Sequence, residues 1–361
     1  LDGLRGIAIL AILLFHDFRY LRVTAVGWIG VDLFFVLSGF LITRILLNTK
    51  IHRKYFSNFY MRRVLRIFPL YFSAILILIF LGWATNIDDF RSIYEFRVYF
   101  LTYTQNFLYL INNGFHPDTI INHFWSLAIE EHFYLFWPLA VFVCKPKRLV
   151  VVSVILFVIS KLLALSFSLF DLNWVTIYTF TFTRMDALLA GGFIAIVSRR
   201  NKAILEKNVT WLLVVVSLLM VAFYTYIFIG NRYQFKLSLI MVTAINSSYS
   251  LILLFNTLLC TCILILSLSR NVISEFLKHK ILKFFGRISY GLYMIHFPVF
   301  MIFNERLIVF FQPYVKSLFL SEVISSLICA SAAIIIANIS YRYFESRFIN
   351  LKERFPATSK L

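Results

Sequence analysis

Charge is scarce in this chain. Only 14% of its 361 residues are Asp, Glu, Lys or Arg, against about 25% in an ordinary soluble domain. Acidic residues are the scarcer sign, 17 against 35 Lys and Arg, for a formal net charge of +18. A soluble fold of this length could not hide the 61% of residues that are hydrophobic, so two or three ordinary soluble domains are excluded. The basic excess does not point to nucleic acid, because no Lys/Arg-rich tail or arm carries it. Cys144, Cys260, Cys262 and Cys329 all lie in apolar stretches without metal-ligand spacing. Neither a disulfide framework nor a metal site is therefore expected. There is no glycine-rich phosphate loop after a strand, no His-Glu-x-x-His and no Gly-x-Ser-x-Gly elbow. No hydrolase-like module is expected after the last apolar run. The chain starts Leu1-Asp2-Gly3, without Met or a charged leader. No cleaved signal peptide is expected there, and a few native residues are expected to precede it.

What is present is apolar length. Ten membrane helices of about 20 residues each would use about 200 residues. Ten candidate runs are found, at 4–20, 28–47, 67–84, 123–143, 149–169, 178–197, 208–230, 238–269, 284–303 and 321–344. The expected fold is all-α, a polytopic membrane helix bundle, with residues 1–350 as the transmembrane domain and 351–361 as a short basic tail. Basic loops orient it. Residues 44–66, 145–148, 199–207, 270–283 and 342–361 hold 23 Lys and Arg, whereas 19–27, 85–122, 170–177, 231–237 and 304–320 hold 8. The rule that cytoplasmic loops carry the basic excess then places both termini in the cytoplasm.

Three segments test that scheme. The stretch 98–110 is interrupted by Thr102, Thr104, Gln105 and Asn106. Were it a full span, the alternation would break at Lys145, Lys147 and Arg148, so it is expected to be re-entrant or interfacial on the outer face. The run 238–269 is long for one span, and a break is expected near Asn246-Ser247-Ser248. Residues 54–66 mix aromatic and basic side chains at helical spacing. They are expected to lie in the cytoplasmic interface as a separate helix, with Pro69 in the first turn of the next span.

Ionisable groups inside a bilayer cost at least about 2.5 kcal/mol each at a helix centre, so they mark the candidate site. Arg5 and His16 stand eleven residues apart on the first span, about 16 Å of helix. Arg5 is then near the cytoplasmic surface and His16 at mid-depth, where a neutral imidazole is a candidate proton acceptor. A packing histidine is the plainer alternative. Glu130 falls at a similar depth on the fourth span, and Ser126, Glu130 and Tyr134 share its face. Glu131 points about 100° away. Two adjacent intramembrane carboxylates are hard to explain by packing, and Glu130 is the expected partner of His16. Arg63 and Arg66 share a helical face at the level of Arg5. Three guanidiniums there suit a phosphate cluster or, equally, a lipid-headgroup patch. Asp32, Arg184, Tyr293 and His296 are intramembrane polar residues that serve either packing or a substrate cavity.

Taken in order, these segments resemble the integral membrane acyltransferase 3 family, the bacterial O-acyltransferases of sugars. The likeness rests on Leu1-Asp2-Gly3-Leu4-Arg5-Gly6, on the Arg5-to-His16 spacing and on the stretch from Gly30-Val31-Asp32 to Ser38-Gly39-Phe40. Arg63-Val64-Leu65-Arg66, Trp125-Ser126-Leu127-Ala128-Ile129-Glu130-Glu131 and Gly286-Arg287-Ile288-Ser289-Tyr290 through His296 complete it. His132 stands where that family more often has Gln, and Arg347 where Pro is usual near the end of the last helix.

The resemblance implies transfer of an acyl group, often acetyl from acetyl-CoA, to a carbohydrate hydroxyl at the bacterial inner membrane. The acceptors implied are O-antigen, exopolysaccharide or a lipid-linked glycan. Combined with the residues, it puts the CoA phosphates on Arg5, Arg63 and Arg66, the acceptor near Trp125, and His16 with Glu130 at the chemistry. The competing reading is a transporter or flippase of an anionic lipid-linked glycan. Broken helices in two repeated halves would favour it, and the sequence shows no such symmetry.

Overall fold

The computed structural model of the protein describes residues 1–85, 87–115, 119–207, 209–232, 239–269 and 271–356. All regular structure among them is helical. Helices α1 (Asp2–Asp17), α2 (Ile29–Thr49) and α3 (Tyr55–Ala84) open the bundle. Three short helices follow, α4 (Asp88–Glu95), α5 (Arg97–Leu101) and α6 (Gln105–Ile111). Then come α7 (Trp125–Val143), α8 (Pro146–Leu169), α9 (Trp174–Thr179), α10 (Thr181–Arg200), α11 (Lys202–Lys207) and α12 (Val209–Arg232). The chain closes with α13 (Leu239–Leu268), α14 (Val272–Phe276), α15 (Lys280–Val315), α16 (Leu318–Ser340) and α17 (Ser346–Leu351).

The protein is an all-α, polytopic membrane helix bundle. Among the described residues, seven helical stretches are long and apolar enough to cross a bilayer. They are Val26–Thr49, Tyr55–Ala84, Pro146–Leu169, Thr181–Arg200, Ser250–Leu268, Lys280–Val315 and Leu318–Arg354. The other three expected runs correspond to α1, which has only 16 residues, to α7, which carries Glu130 and Glu131, and to α12, whose apolar part is Val209–Ala222.

The three test segments come out differently from one another. The stretch 98–110 forms α5 and α6, of 5 and 7 residues. At 1.5 Å per residue neither reaches about 11 Å, far short of a core of about 30 Å. The two are separated by Tyr103, whose φ is +57°. Gln105 and Asn106 are buried and donate to the backbone carbonyls of Phe124 and Trp125, both at 3.0 Å. These bonds anchor the segment to the start of α7. The break expected in 238–269 is not formed, and α13 runs unbroken for 30 residues. Part of the loop before it, 233–238, lies outside the described residues.

The separate interface helix is also corrected. Residues 55–84 are one helix of 30 residues with Pro69 in its interior. Proline removes a single backbone bond, to the carbonyl four residues back, and that did not break this helix. About 45 Å of helix exceeds the hydrocarbon core by about 15 Å, so the aromatic and basic residues extend the span rather than lie beside it.

Helix ends show why the turns fall where they do. At the corner between α7 and α8, Lys50 Nζ donates to the carbonyls of Val141 at 2.8 Å and Cys144 at 2.7 Å. It fills acceptors that a helix C-terminus leaves open. Pro146 opens α8 at a position where no N–H is needed. At the other end of the chain, Arg347 in place of proline lets the helix continue. A π-helical turn at Tyr341–Glu345 leads into α17. Arg62 then donates to the carbonyls of Lys352 at 3.1 Å and Phe355 at 2.8 Å. The tail expected at 351–361 is thus held against α3 as far as Pro356, and 357–361 lie outside the described residues.

Two close helix crossings set the frame. A methyl group on Gly6 would overlap the carbonyl oxygen of Leu282, and one on Gly286 would overlap that of Asp2. Helices α1 and α15 therefore touch backbone to backbone at these glycines. In the same way Gly39 of α2 lies on the Leu188 carbonyl, and Gly191 of α10 on that of Val36. Every polar side chain of the candidate site is carried on helices placed by these two contacts or packed against them.

Candidate active site

The polar residues gather in two adjoining chambers. The first is bounded by α1, α2, α3, α7 and α15. Arg5, Arg63 and Arg66 line it together with Glu130 and Glu131. Arg5 Nη1 lies 3.5 Å from Asp2 Oδ1. The Arg63 guanidinium sits 5.8 Å from the centre of the Tyr134 ring and 6.0 Å from that of Phe59, near enough for cation–π attraction. Tyr290 ties α15 to α3 by donating to the Ile67 carbonyl at 2.7 Å. The three arginines expected at one level do share one cavity.

Glu130, which matches His16 in expected depth, is held by other partners. Ser38 Oγ donates to its Oε1 at 2.9 Å and Tyr134 Oη to its Oε2 at 2.6 Å. The two hydroxyls lie 3.1 Å apart, side by side on the carboxylate. Such a hydrogen bond to a charged group is worth about 1.5–3 kcal/mol. Glu131 also lines the chamber. The cavity spreads beyond the face of α7 that carries Ser126, Glu130 and Tyr134.

The second chamber is walled by aromatic rings. Trp28, Trp125, Trp174 and Tyr178 form one side, with the Tyr178 ring 4.6 Å from Trp125 and 5.3 Å from Trp28. His16, His123 and Asn122 are polar groups in its wall, and among its lining residues none carries a formal charge. His16 Nδ1 stands 3.0 Å from Nε2 of the buried His296. The expected pairing of His16 with Glu130 is thus corrected, and the partner of His16 comes from α15. His123 Nε2 donates to the Tyr293 carbonyl at 3.0 Å.

Val31 and Tyr293 line both chambers and form the wall between them. Tyr293 Oη donates to the His123 carbonyl at 2.7 Å and accepts from Ser126 Oγ at 2.5 Å. Of the expected site residues, Arg5, Arg63, Arg66, Ser126, Glu130 and Glu131 face the cationic chamber. His16 and Trp125 face the aromatic one, Tyr293 faces both, and His296 stands behind His16.

Asp32 and Arg184 line neither chamber. They are fully buried and bonded to each other. Asn256 Nδ2 approaches Asp32 Oδ2 at 3.4 Å, and Lys161 pairs with Asp186 at 2.6 Å. Asp186 also accepts from Thr257 Oγ1 at 2.6 Å. The result is a charge-balanced cluster that joins α2, α8, α10 and α13.

Sequence reasoning passed over His123, Ser38 and Lys161. His123 lies in a 3-10 turn before α7 begins, outside any helical face. Ser38 reads as a small packing residue beside Gly39. Lys161 shows only as a lone cation in an apolar run. Among the described residues no group of three or more His, Cys, Asp or Glu is arranged to hold a metal ion.

Fold and site together define a polytopic membrane protein with two adjoining cavities inside its helix bundle, one cationic and one aromatic, that share Val31 and Tyr293 in their walls. Residues 1–342 match the model of the acyltransferase 3 family, described as an acyltransferase domain. The chain belongs to that family. It is 28% identical to the peptidoglycan O-acetyltransferase OatA of Listeria monocytogenes over 96% of this chain and 55% of that protein. It is likewise 28% identical to the O-acetyltransferase OatA of Staphylococcus aureus, over 96% of this chain and 56% of that protein. The chain therefore spans about half the length of the curated relatives it matches. No solved structure matches it.

Proposed function

We propose that this chain is a membrane O-acyltransferase. It moves an acyl group, acetyl in the simplest case, from acyl-CoA to a hydroxyl of a cell-surface or lipid-linked carbohydrate. The observation that carries this reading is the pair of adjoining chambers. Three arginines line one, His16 lines the other, and Tyr293 is common to both. Guanidiniums favour the phosphates of CoA by charge-assisted, bidentate bonds, and an uncharged aromatic chamber suits the apolar faces of a sugar ring. The names of the relatives, one of them a peptidoglycan O-acetyltransferase, support acetyl as the group and a glycan as the acceptor.

In this reading the acceptor hydroxyl enters the aromatic chamber beside Trp125. His16 takes its proton as the oxygen attacks the thioester carbon. The C–S bond breaks and the proton passes to the departing CoA sulfur, leaving one ester and one thiol. Glu130, bonded to Ser38 and Tyr134, balances the arginines of the donor chamber. Asp32 and Arg184 clamp the scaffold rather than touch substrate. The chain crosses the bacterial cytoplasmic membrane ten times, with both ends and the arginines on the cytoplasmic side, as the distribution of basic loops supports.

The test is a donor assay. The purified chain in nanodiscs is incubated with labelled acetyl-CoA and glycan acceptors, and CoA release and acetyl transfer are both followed. Acceptor-dependent release is expected, with none from His16→Ala. Wild-type turnover by that variant, or no CoA release from the parent with any acceptor, would refute the assignment.

A further inference from the structure

We propose that His296 is a positioning residue that fixes the tautomer of His16, through a relay that starts at the α15 backbone. The inference rests on the reading of His16 as the base. It is carried by three consecutive polar contacts. His296 Nδ1 lies 2.9 Å from the carbonyl oxygen of Tyr293 and 3.0 Å from that of Leu292. A carbonyl oxygen only accepts, so Nδ1 of His296 carries the ring proton. In a neutral ring Nε2 is then the acceptor. That nitrogen is the one 3.0 Å from His16 Nδ1. His16 must donate from Nδ1, and its own Nε2 is left bare. Two main-chain oxygens thereby decide which nitrogen of His16 is free to take a proton. Catalytic triads place an acid in this position behind the histidine. Here a second imidazole with a fixed tautomer holds it.

The helix crossing agrees with the relay. At the close crossing of α1 and α15, Gly6 packs on the Leu282 carbonyl and Gly286 on that of Asp2. His16 and His296 each follow their glycine by ten residues. The 3.0 Å contact between these histidines shows that the two helices run parallel from the crossing, with the pair about 15 Å beyond the glycines. The outer end of α1 is also pinned. Arg19 Nε donates to the His16 carbonyl at 3.0 Å, and its guanidinium lies 5.2 Å from the Phe300 ring centre. Ser326 of α16 donates to the Asp17 carbonyl. His16 thus has a fixed backbone as well as a fixed ring.

The direct test is nitrogen NMR of the wild-type protein in nanodiscs, with histidines labelled at both ring nitrogens and His16 and His296 assigned by single replacement. Both rings are expected to be protonated at Nδ1 and bare at Nε2. A proton on His16 Nε2, or two protons on His296, overturns the relay. The functional test pairs two variants. His296→Gln offers an amide oxygen where the imidazole had Nε2 and an N–H for the backbone carbonyls, so the His16 tautomer and most turnover should survive. His296→Leu removes the acceptor. Its kcat should fall about 100-fold, within the ~10²–10⁴ that a positioned base contributes, while KM for the acyl donor stays within about twofold. Wild-type kcat in His296→Leu, with His16→Ala inactive, sinks the relay and leaves the base standing. Wild-type kcat in His16→Ala removes the base and the relay's role in turnover together, whatever tautomer is observed.

Discussion

Asp32 and Arg184 offer a quantitative test of the architecture, because a clamp and a substrate contact respond in opposite ways. Both side chains are fully buried. Replacing Asp32 with Ala strands a guanidinium with no water to receive it. Breaking one side of a buried pair costs about 3–5 kcal/mol. Within a bilayer, insertion scales put an unpaired charge at about 2.5–3.5 kcal/mol. Asp186, two residues further along α10, is bonded to Lys161 and Thr257 through Oδ2 alone, and its Oδ1 has no hydrogen-bond partner among the described residues, so it offsets part of that cost. A loss of about 3 kcal/mol is therefore expected, more than a hundredfold in the folding equilibrium. The double replacement Asp32→Leu with Arg184→Met removes both charges at similar volume, and such exchanges are neutral or stabilising by about 1–4 kcal/mol. Unfolding of the purified protein by titration with SDS, followed by tryptophan fluorescence, measures all three proteins. The double variant should return close to the parent. If Asp32→Ala unfolds within about 0.5 kcal/mol of the parent, the size expected of an inconsequential surface change, the clamp is refuted. Normal stability with lost donor or acceptor binding would instead place the pair in the substrate path.

Other expectations follow from the same structure. Gly286→Ala puts a methyl group into the Asp2 carbonyl and should cost about 1–3 kcal/mol by forcing α1 and α15 apart; an unchanged melting temperature would contradict the close crossing. Tyr134→Phe removes the 2.6 Å bond to Glu130, and loss of a charge-assisted bond of about 1.5–3 kcal/mol should lower kcat/KM for the donor at least about tenfold, whereas unaltered kinetics would separate Glu130 from donor binding. Arg63→Ala and Arg66→Ala should each raise the acyl-CoA KM by about tenfold or more with the acceptor KM unchanged; equal donor affinity in both variants would make the cluster a headgroup patch.

Much of the site could be read along the chain because a bilayer is a severe solvent. Apolar length and the basic loops marked the runs, and polar residues inside them stood out against it. Arg5, Arg63, Arg66, Glu130 and Glu131 were all found in this way, and they share a cavity. What failed was pairing. Depth along a helix axis matched His16 with Glu130, but depth says nothing about rotation around that axis or about which helix is adjacent. His296, level with His16 on a parallel helix, took the place that a carboxylate at similar depth was expected to hold. Asp32 and Arg184 were left open between packing and substrate contact for the converse reason. An intramembrane charge reads the same whether its partner is a ligand or the next helix.

Composition, periodicity and the order of a few short motifs determined the class of fold, the position of most helices and the family, since each depends on residues close together in the chain. Tertiary structure alone decided that the polar groups divide into a cationic and an aromatic chamber with Tyr293 between them. It also decided that α3 is one helix through Pro69 and that His16 meets His296. Those outcomes turn on which helices touch, and contacts at Gly6, Gly286, Gly39 and Gly191 set that across separations of up to 284 residues. No local pattern encodes such a distance.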